Sequence, residues 1–139
     1  MGYEGREIDE FIDRLKLYHI SRLIDVREMP LSRKKGFSKS ALGERLAREK
    51  IEYVHIKVLG CPTPIRNKVK TDGDYDWFFK AYTKYLSDNM EVVAGLREYI
   101  SSGNVCLMCY ERSHEQCHRS VVANKIKEYY GKGVQVKHI

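Results

Sequence analysis

A short apolar run without alternation constrains the fold most, because such a run is typical of a strand buried on both faces. This run covers residues 105–109, Val-Cys-Leu-Met-Cys, and ends at the polar pair Tyr110 and Glu111. A second buried strand is predicted at residues 22–27, Arg-Leu-Ile-Asp-Val-Arg, and Glu28 follows it. Strands of this kind belong to parallel sheets with helices on both faces, so we expect an α/β fold.

Helical and strand patterns alternate along the rest of the chain, in the order α, β, α, β, α, α, β, α, β. Residues 51–58 predict a strand with one polar face, and residues 134–139 predict a short last strand. Residues 61–73 contain Pro62 and Pro64 and predict a long polar loop. This order predicts one domain over residues 1–139, a three-layer Rossmann-like domain with a mostly parallel sheet and helices on both faces.

Composition limits the class of protein and of partner. Hydrophobic residues make up 42% of the chain, yet no apolar run approaches the roughly 20 residues of a membrane helix, so we expect no membrane partner. The first residues lack the apolar core of a signal peptide, and the four cysteines therefore indicate reduced thiols in a cytoplasmic protein. A net charge of +6, from 25 basic and 19 acidic residues, favours an anionic partner without identifying it.

Reactive side chains concentrate just after the 105–109 run. Ligands of parallel sheets bind beyond the carboxyl ends of the strands, and a helix start attracts anions, so we expect a site at this point. Glu111 and His118 are candidate general acid–base residues. Cys117 is a candidate catalytic nucleophile, because a thiol near His118, Arg119 and a helix start has a lowered pKa.

Basic residues at the ends of other elements complete a predicted anion site. Arg27 ends the second predicted strand, and a basic loop follows it. Guanidinium groups favour phosphate because they offer fixed pairs of donors. The alternative for Arg27 is a salt bridge to Glu28 or Glu111 that only holds the loops together. For a nucleotide or another phosphorylated ligand, the predicted binding residues are Tyr3, Arg27, Arg33, Lys34 and Arg119.

Two other functions remain open at the level of sequence. The basic loop Arg33-Lys34-Lys35 could bind nucleic acid in a module without catalysis. The sequence Asp-Val-Arg-Glu is similar to the rhodanese motif, which would make the chain a sulfurtransferase with a persulfide on Cys109. The loop after Cys109 lacks the compact glycine-containing turn that such a site uses. The sequence indicates no particular cofactor.

A metal site is not predicted. Cys106 and Cys109 lie three residues apart on a predicted strand and therefore point to opposite faces. Cys117 and His118 would diverge by about 100° if both lay on a helix. A zinc site built from these four residues is therefore not expected.

Several motifs occur in order along the chain: GYEGR at 2–6, LIDVRE at 23–28, PLSRKKGFSKSAL at 30–42, IEYVHIKVLG at 51–60, LMCYE at 107–111 and CHRS at 117–120. Together they resemble the family catalogued as domain of unknown function 488. The resemblance implies a cytoplasmic, prokaryotic α/β domain of Rossmann-like type, and it implies no settled activity. Family members typically carry a short apolar strand before the GYEGR turn, where this chain has Met1 alone, and they commonly have a second glycine where this chain has Cys61.

Overall fold

Three parallel strands form the centre of the fold in the computed structural model, which describes residues 1–139. The order across the sheet is β2-β1-β3, so β1 is the central strand. Leu23 and Ile24 point to opposite faces of β1 and both are fully buried, which confirms the burial on two faces that the sequence predicts. The strands are β1 (Ile20–Asp25), β2 (Glu52–His55) and β3 (Asn104–Met108).

Helices cover both faces of this sheet and confirm the predicted three-layer α/β class. On one face, Leu23 and Cys106 pack with α1 and α2 residues such as Phe11. On the other, Ile24 packs with residues of α4, α5 and α7, among them Tyr82. The helices are α1 (Ile8–Leu17), α2 (Lys39–Arg48), α3 (Thr63–Asp72), α4 (Tyr75–Ser87), α5 (Met90–Ala94), α6 (Arg97–Ile100) and α7 (Arg119–Tyr130), with short 3-10 turns at Lys57–Leu59, His114–Gln116 and Gly131–Gly133.

The first four residues continue the sheet beside the end of β3. Gly2 forms a parallel bridge with Cys109, and the backbone N–H of Tyr3 donates to the Cys109 carbonyl at 3.3 Å. A glycine is needed at position 2, since a Cβ atom there would stand 1.8 Å from the backbone oxygen of Glu111. Residues 1–4 therefore hold the beginning of the 109–118 loop against the sheet.

The predicted loop over residues 61–73 is wrong in its larger part, because residues Thr63–Asp72 form helix α3. Pro64 lies in the first turn of this helix, where its missing N–H costs no hydrogen bond. Gly73 ends the helix in the left-handed conformation, with φ of 69°. Proline at the start and glycine at the end are the signals that would have predicted a helix.

The predicted last strand is also wrong, because residues 134–139 belong to no strand. A segment with alternating apolar residues becomes a strand only if the sheet offers it an unpaired edge strand. The edge of β3 at Leu107 and Cys109 is already hydrogen-bonded to Met1 and Tyr3. No helix of the structure is both long enough and apolar enough to cross a membrane.

Candidate functional site

A cleft of about 550 Å³ opens at the carboxyl end of the sheet, as the positions of the polar residues predict. Its floor is formed by Cys109, Glu111 and His118, which follow β3. Basic and aromatic side chains also line the cleft. The basic residues are Arg33, Arg66 and Lys70, and the aromatic ones are Tyr3, Tyr75, Phe78 and Tyr110.

Close contact between the loops after β1 and β2 closes another side of the cleft. Gly60 lies so near the first loop that a Cβ atom on it would stand 2.4 Å from the Cα atom of Glu28. The next residue, Cys61, is buried and lines the cleft. Burial raises the pKa of the Cys61 thiol to about 12, so this thiol stays protonated and unreactive at neutral pH.

Cys109, Cys117 and His118 form a buried group that we call the thiol–imidazole cluster. Both Sγ atoms lie 3.9 Å from Nδ1 of His118, and all three atoms lie within 4.8 Å of one another. The expectation that Cys117 and His118 diverge is wrong, because Cys117 precedes α7 and has extended backbone angles, φ −137° and ψ 135°. Cys106 faces the opposite side of the sheet, as the spacing predicts.

The members of the cluster shift one another's protonation. Burial opposes ionisation of Cys117, but hydrogen bonds from Cys109 and His118 and the charge of His118 outweigh it and hold the pKa of Cys117 well below its ordinary value. Burial disfavours the charged imidazole, whereas the hydrogen bond and charge of Cys117 raise the pKa of His118. The hydrogen bond to Cys117 and burial raise the pKa of the Cys109 thiol. The thiolate form of Cys117 and the charged form of His118 therefore stabilise each other.

Glu111 lies beside this cluster and lines the cleft. Its Oε2 atom is buried and has no hydrogen-bond partner within the protein. Burial raises the pKa of the Glu111 carboxyl, and the negative charge of Cys117 adds to this effect. A carboxyl of this kind can hold or release a proton nearer neutral pH than a solvated glutamate.

Arg27 is committed to contacts within the protein. Its Nε and Nη2 atoms donate to both carboxylate oxygens of Asp25, at 2.9 and 2.6 Å. Its Nη1 atom donates to the hydroxyl of Tyr3 and to the carbonyl of Phe37. The salt-bridge partner is therefore Asp25 and neither Glu28 nor Glu111. Four of the five guanidinium N–H groups face protein atoms, although Arg27 still lines the cleft.

The other predicted anion-binding residues lie in different surroundings. Arg119 donates to the carbonyls of Glu111 and Arg112, at 2.6 and 3.0 Å, and it lies outside the cleft. Lys34 forms an ion pair with Glu7 at 2.9 Å and also lies outside the cleft. Arg33 is exposed and lines the opening. The structure therefore brings together Tyr3, Arg27, Arg33, Glu111 and His118, with Cys117 buried behind them.

Sequence reasoning missed the contribution of α3 and α4 to this cleft. Arg66, Val69 and Lys70 of α3 and Tyr75 and Phe78 of α4 line it. The helix signals in residues 63–73 would have predicted a regular element there. Only the fold shows that this element lies across the ends of the strands.

The sheet, its helical layers and the cleft beyond the strand ends define an open, parallel α/β protein. The family model described as "Domain of unknown function DUF488" matches residues 7–126, and the chain belongs to this family. No curated protein sequence and no solved structure gives a significant match to the chain.

Proposed function

We propose that the chain is an enzyme that binds a nucleotide or another phosphorylated small molecule in the cleft and exchanges a proton with it through Glu111. One observation carries the proposal. Reactive groups at the floor and unpaired basic groups at the opening line the same 550 Å³ cavity. A cleft with few polar groups that converge on one point is the usual form of a small-molecule site.

The surroundings of the opening favour a phosphorylated ligand with an aromatic part. Arg33 and Lys70 are exposed and form no ion pair, so their charges are available to an anion. Tyr75 and Tyr110 are 37% and 47% exposed and present ring surface along the cleft. A base would stack on such rings while its phosphate contacts the basic side chains.

Glu111 is the group best placed for proton transfer. It lines the cleft, and its buried oxygen has no partner in the protein. His118 is less suited to act on a ligand, because Nε2 lies 2.8 Å from the carbonyl of Val26 and Nδ1 faces the two thiols. Cys117 is fully buried and does not line the cleft, which argues against direct attack by this thiol.

The alternatives from sequence have less support. A sulfurtransferase needs a reactive thiolate, whereas the hydrogen bond to Cys117 and burial raise the pKa of Cys109. A nucleic-acid module needs an extended basic face. In the basic loop, Arg33 and Lys35 are exposed while Lys34 is paired with Glu7. A cleft of about 550 Å³ fits a small molecule better than a polymer.

Binding of nucleoside mono-, di- and triphosphates to the wild-type chain, measured by titration calorimetry, tests the ligand class. We expect Arg33→Ala to weaken the best ligand by about tenfold or more, the cost of losing a hydrogen bond between charged groups. Lys35→Ala is the matched control, because Lys35 is an exposed basic neighbour outside the cleft. Glu111→Gln should bind the same ligand as tightly as the wild type does, but it should no longer turn that ligand over.

Other outcomes would contradict the proposal. Equal losses in the Arg33 and Lys35 variants, together with steep weakening by salt, would favour the nucleic-acid module. Absence of binding by every phosphorylated compound would remove the ligand class. Unchanged turnover of a bound ligand in Glu111→Gln would remove the role of Glu111.

A further inference from the structure

We propose that the thiol–imidazole cluster is a zinc site, with Cys109, Cys117 and His118 as three ligands and a fourth position beside Glu111. The assignment deepens the proposed function. It rests on the proposed function only in the role that it gives to Glu111. It contradicts the expectation from sequence that no metal is bound. Two thiolates and one imidazole form a ligand set that favours zinc over calcium and magnesium, which prefer oxygen.

The distances are close to those of a zinc site. With Zn–S of about 2.3 Å and Zn–N of about 2.0 Å, tetrahedral geometry puts sulfur and nitrogen ligands about 3.5 Å apart. The two Sγ atoms already lie 3.9 Å from Nδ1 of His118. The nitrogen-to-sulfur distances would shorten by a few tenths of an ångström, and the two sulfur atoms, which lie within 4.8 Å of each other, would approach to about 3.8 Å.

The second nitrogen of His118 is held as it is in metal sites. Nε2 lies 2.8 Å from the backbone carbonyl of Val26, an acceptor only, so Nε2 carries the proton. Once Nδ1 gives up any second proton, it presents a lone pair, and this atom faces both sulfur atoms. Metal-bound histidines commonly donate their other N–H to a backbone carbonyl or carboxylate, which fixes the ring orientation.

The loop between the two cysteines is fixed from outside the cluster. Arg119 donates to the carbonyls of Glu111 and Arg112 within that loop. Gly2 and Tyr3 hold its beginning at Cys109. The ligands are therefore brought together before any metal binds, which lowers the entropic cost of forming the site.

Charge balance permits a metal in this buried cluster. Binding of Zn²⁺ forms two Zn–S bonds and one Zn–N bond and releases two protons, one from Cys109 and one from the Cys117–His118 pair, so metal and thiolates together are neutral. Glu111 lies outside the three-ligand set, and its buried Oε2 atom has no partner. This atom could accept a hydrogen bond from water at the fourth position. Three protein ligands and one water are the arrangement of catalytic zinc sites.

Titration of the reduced, metal-free chain with Co²⁺ under anaerobic conditions tests the site, with Zn²⁺ added afterwards as competitor. We expect one cobalt ion per chain, with sulfur-to-cobalt charge-transfer absorption, tetrahedral visible bands and displacement by zinc. Cys109→Ser and Cys117→Ser should each weaken zinc binding by at least about 100-fold. Loss of a side chain that only orients a metal ligand costs up to about 100-fold, and loss of a ligand should cost at least as much. The wild-type spectrum is a test even if a buried variant fails to fold.

Cys106→Ser is the matched control, because Cys106 is a buried cysteine of the same strand region on the opposite face. It should bind zinc like the wild type, and Glu111→Gln should bind it within about tenfold. A cobalt spectrum without sulfur bands, or equal losses in Cys106→Ser and Cys109→Ser, would overturn the zinc assignment. Nucleotide binding without zinc binding would remove this inference alone, and zinc binding without nucleotide binding would remove the proposed function alone.

Discussion

The buried pair of Asp25 and Arg27 gives the sharpest prediction about stability, since both side chains are almost completely buried, with exposed fractions of 0% and 6%. Asp25 accepts hydrogen bonds from the backbone N–H and the guanidinium of Arg27 and from the hydroxyl of Tyr53. Asp25→Ala removes these acceptors and leaves the charge of Arg27 buried without a counter-charge. Breaking a buried pair in this way costs about 3–5 kcal/mol.

This cost is a large part of the roughly 5–15 kcal/mol that stabilises a domain. With a urea dependence of about 2 kcal/mol per molar, we expect the midpoint of unfolding to fall by about 2 M. Circular dichroism during urea titration measures it. Asp88→Ala is the control, because Asp88 forms an exposed ion pair with Lys84, and its loss should cost less than about 0.5 kcal/mol. A loss below about 1 kcal/mol for Asp25→Ala would refute the reasoning.

Three further changes follow from the site. Gly60→Ala should cost about 1–3 kcal/mol in urea unfolding, because its Cβ would overlap the backbone of Glu28, whereas Gly133→Ala, with open space around it, should cost nothing measurable. In metal-free protein, burial and the charge of Cys117 raise the pKa of Glu111. The contribution of Glu111 to the free energy of unfolding is therefore fully present below about pH 4.5 and is lost as pH rises through the higher folded-state pKa. Glu111→Gln should remove that loss, and a pH profile of unfolding identical to that of the wild type would contradict this prediction. Burial raises the pKa of the Cys61 thiol to about 12. Alkylation of Cys61 at pH 8 should therefore be about 1,000-fold slower in the native chain than in the urea-unfolded chain. Peptide mass mapping measures both rates, and comparable rates would contradict this prediction.

The layers of the fold were predictable because local sequence fixes burial. The predicted buried strands at 22–27 and 105–109 required cover on both faces, and strands separated by helices required a parallel sheet. Asp74 was a predicted helix cap, and its side chain accepts a hydrogen bond from the N–H of Trp77. Ser38 lies at the predicted start of α2, although its hydroxyl bonds to Ser32 and not to that helix.

The detailed site was less predictable because it depends on packing between distant elements. That Glu111 and His118 lie at a strand end follows from sequence order. That Asp25 would engage Arg27, and that Arg119 would bind loop carbonyls, depends on distances that spacing does not give. The cluster of Cys109 with Cys117 and His118 was not predicted because the sequence argument placed Cys117 on the helix, which begins two residues later at Arg119, and counted Cys106 among the ligands.

The central claim is that the groups at the floor and the opening of the cleft serve one bound molecule. A crystal structure of the chain soaked with its tightest-binding nucleotide tests this claim most directly. We predict that the phosphate lies between Arg33 and Lys70 and that the reacting end of the molecule lies within hydrogen-bond distance of Glu111. Saturating nucleotide that leaves the cleft empty, or that binds outside it, would contradict the account.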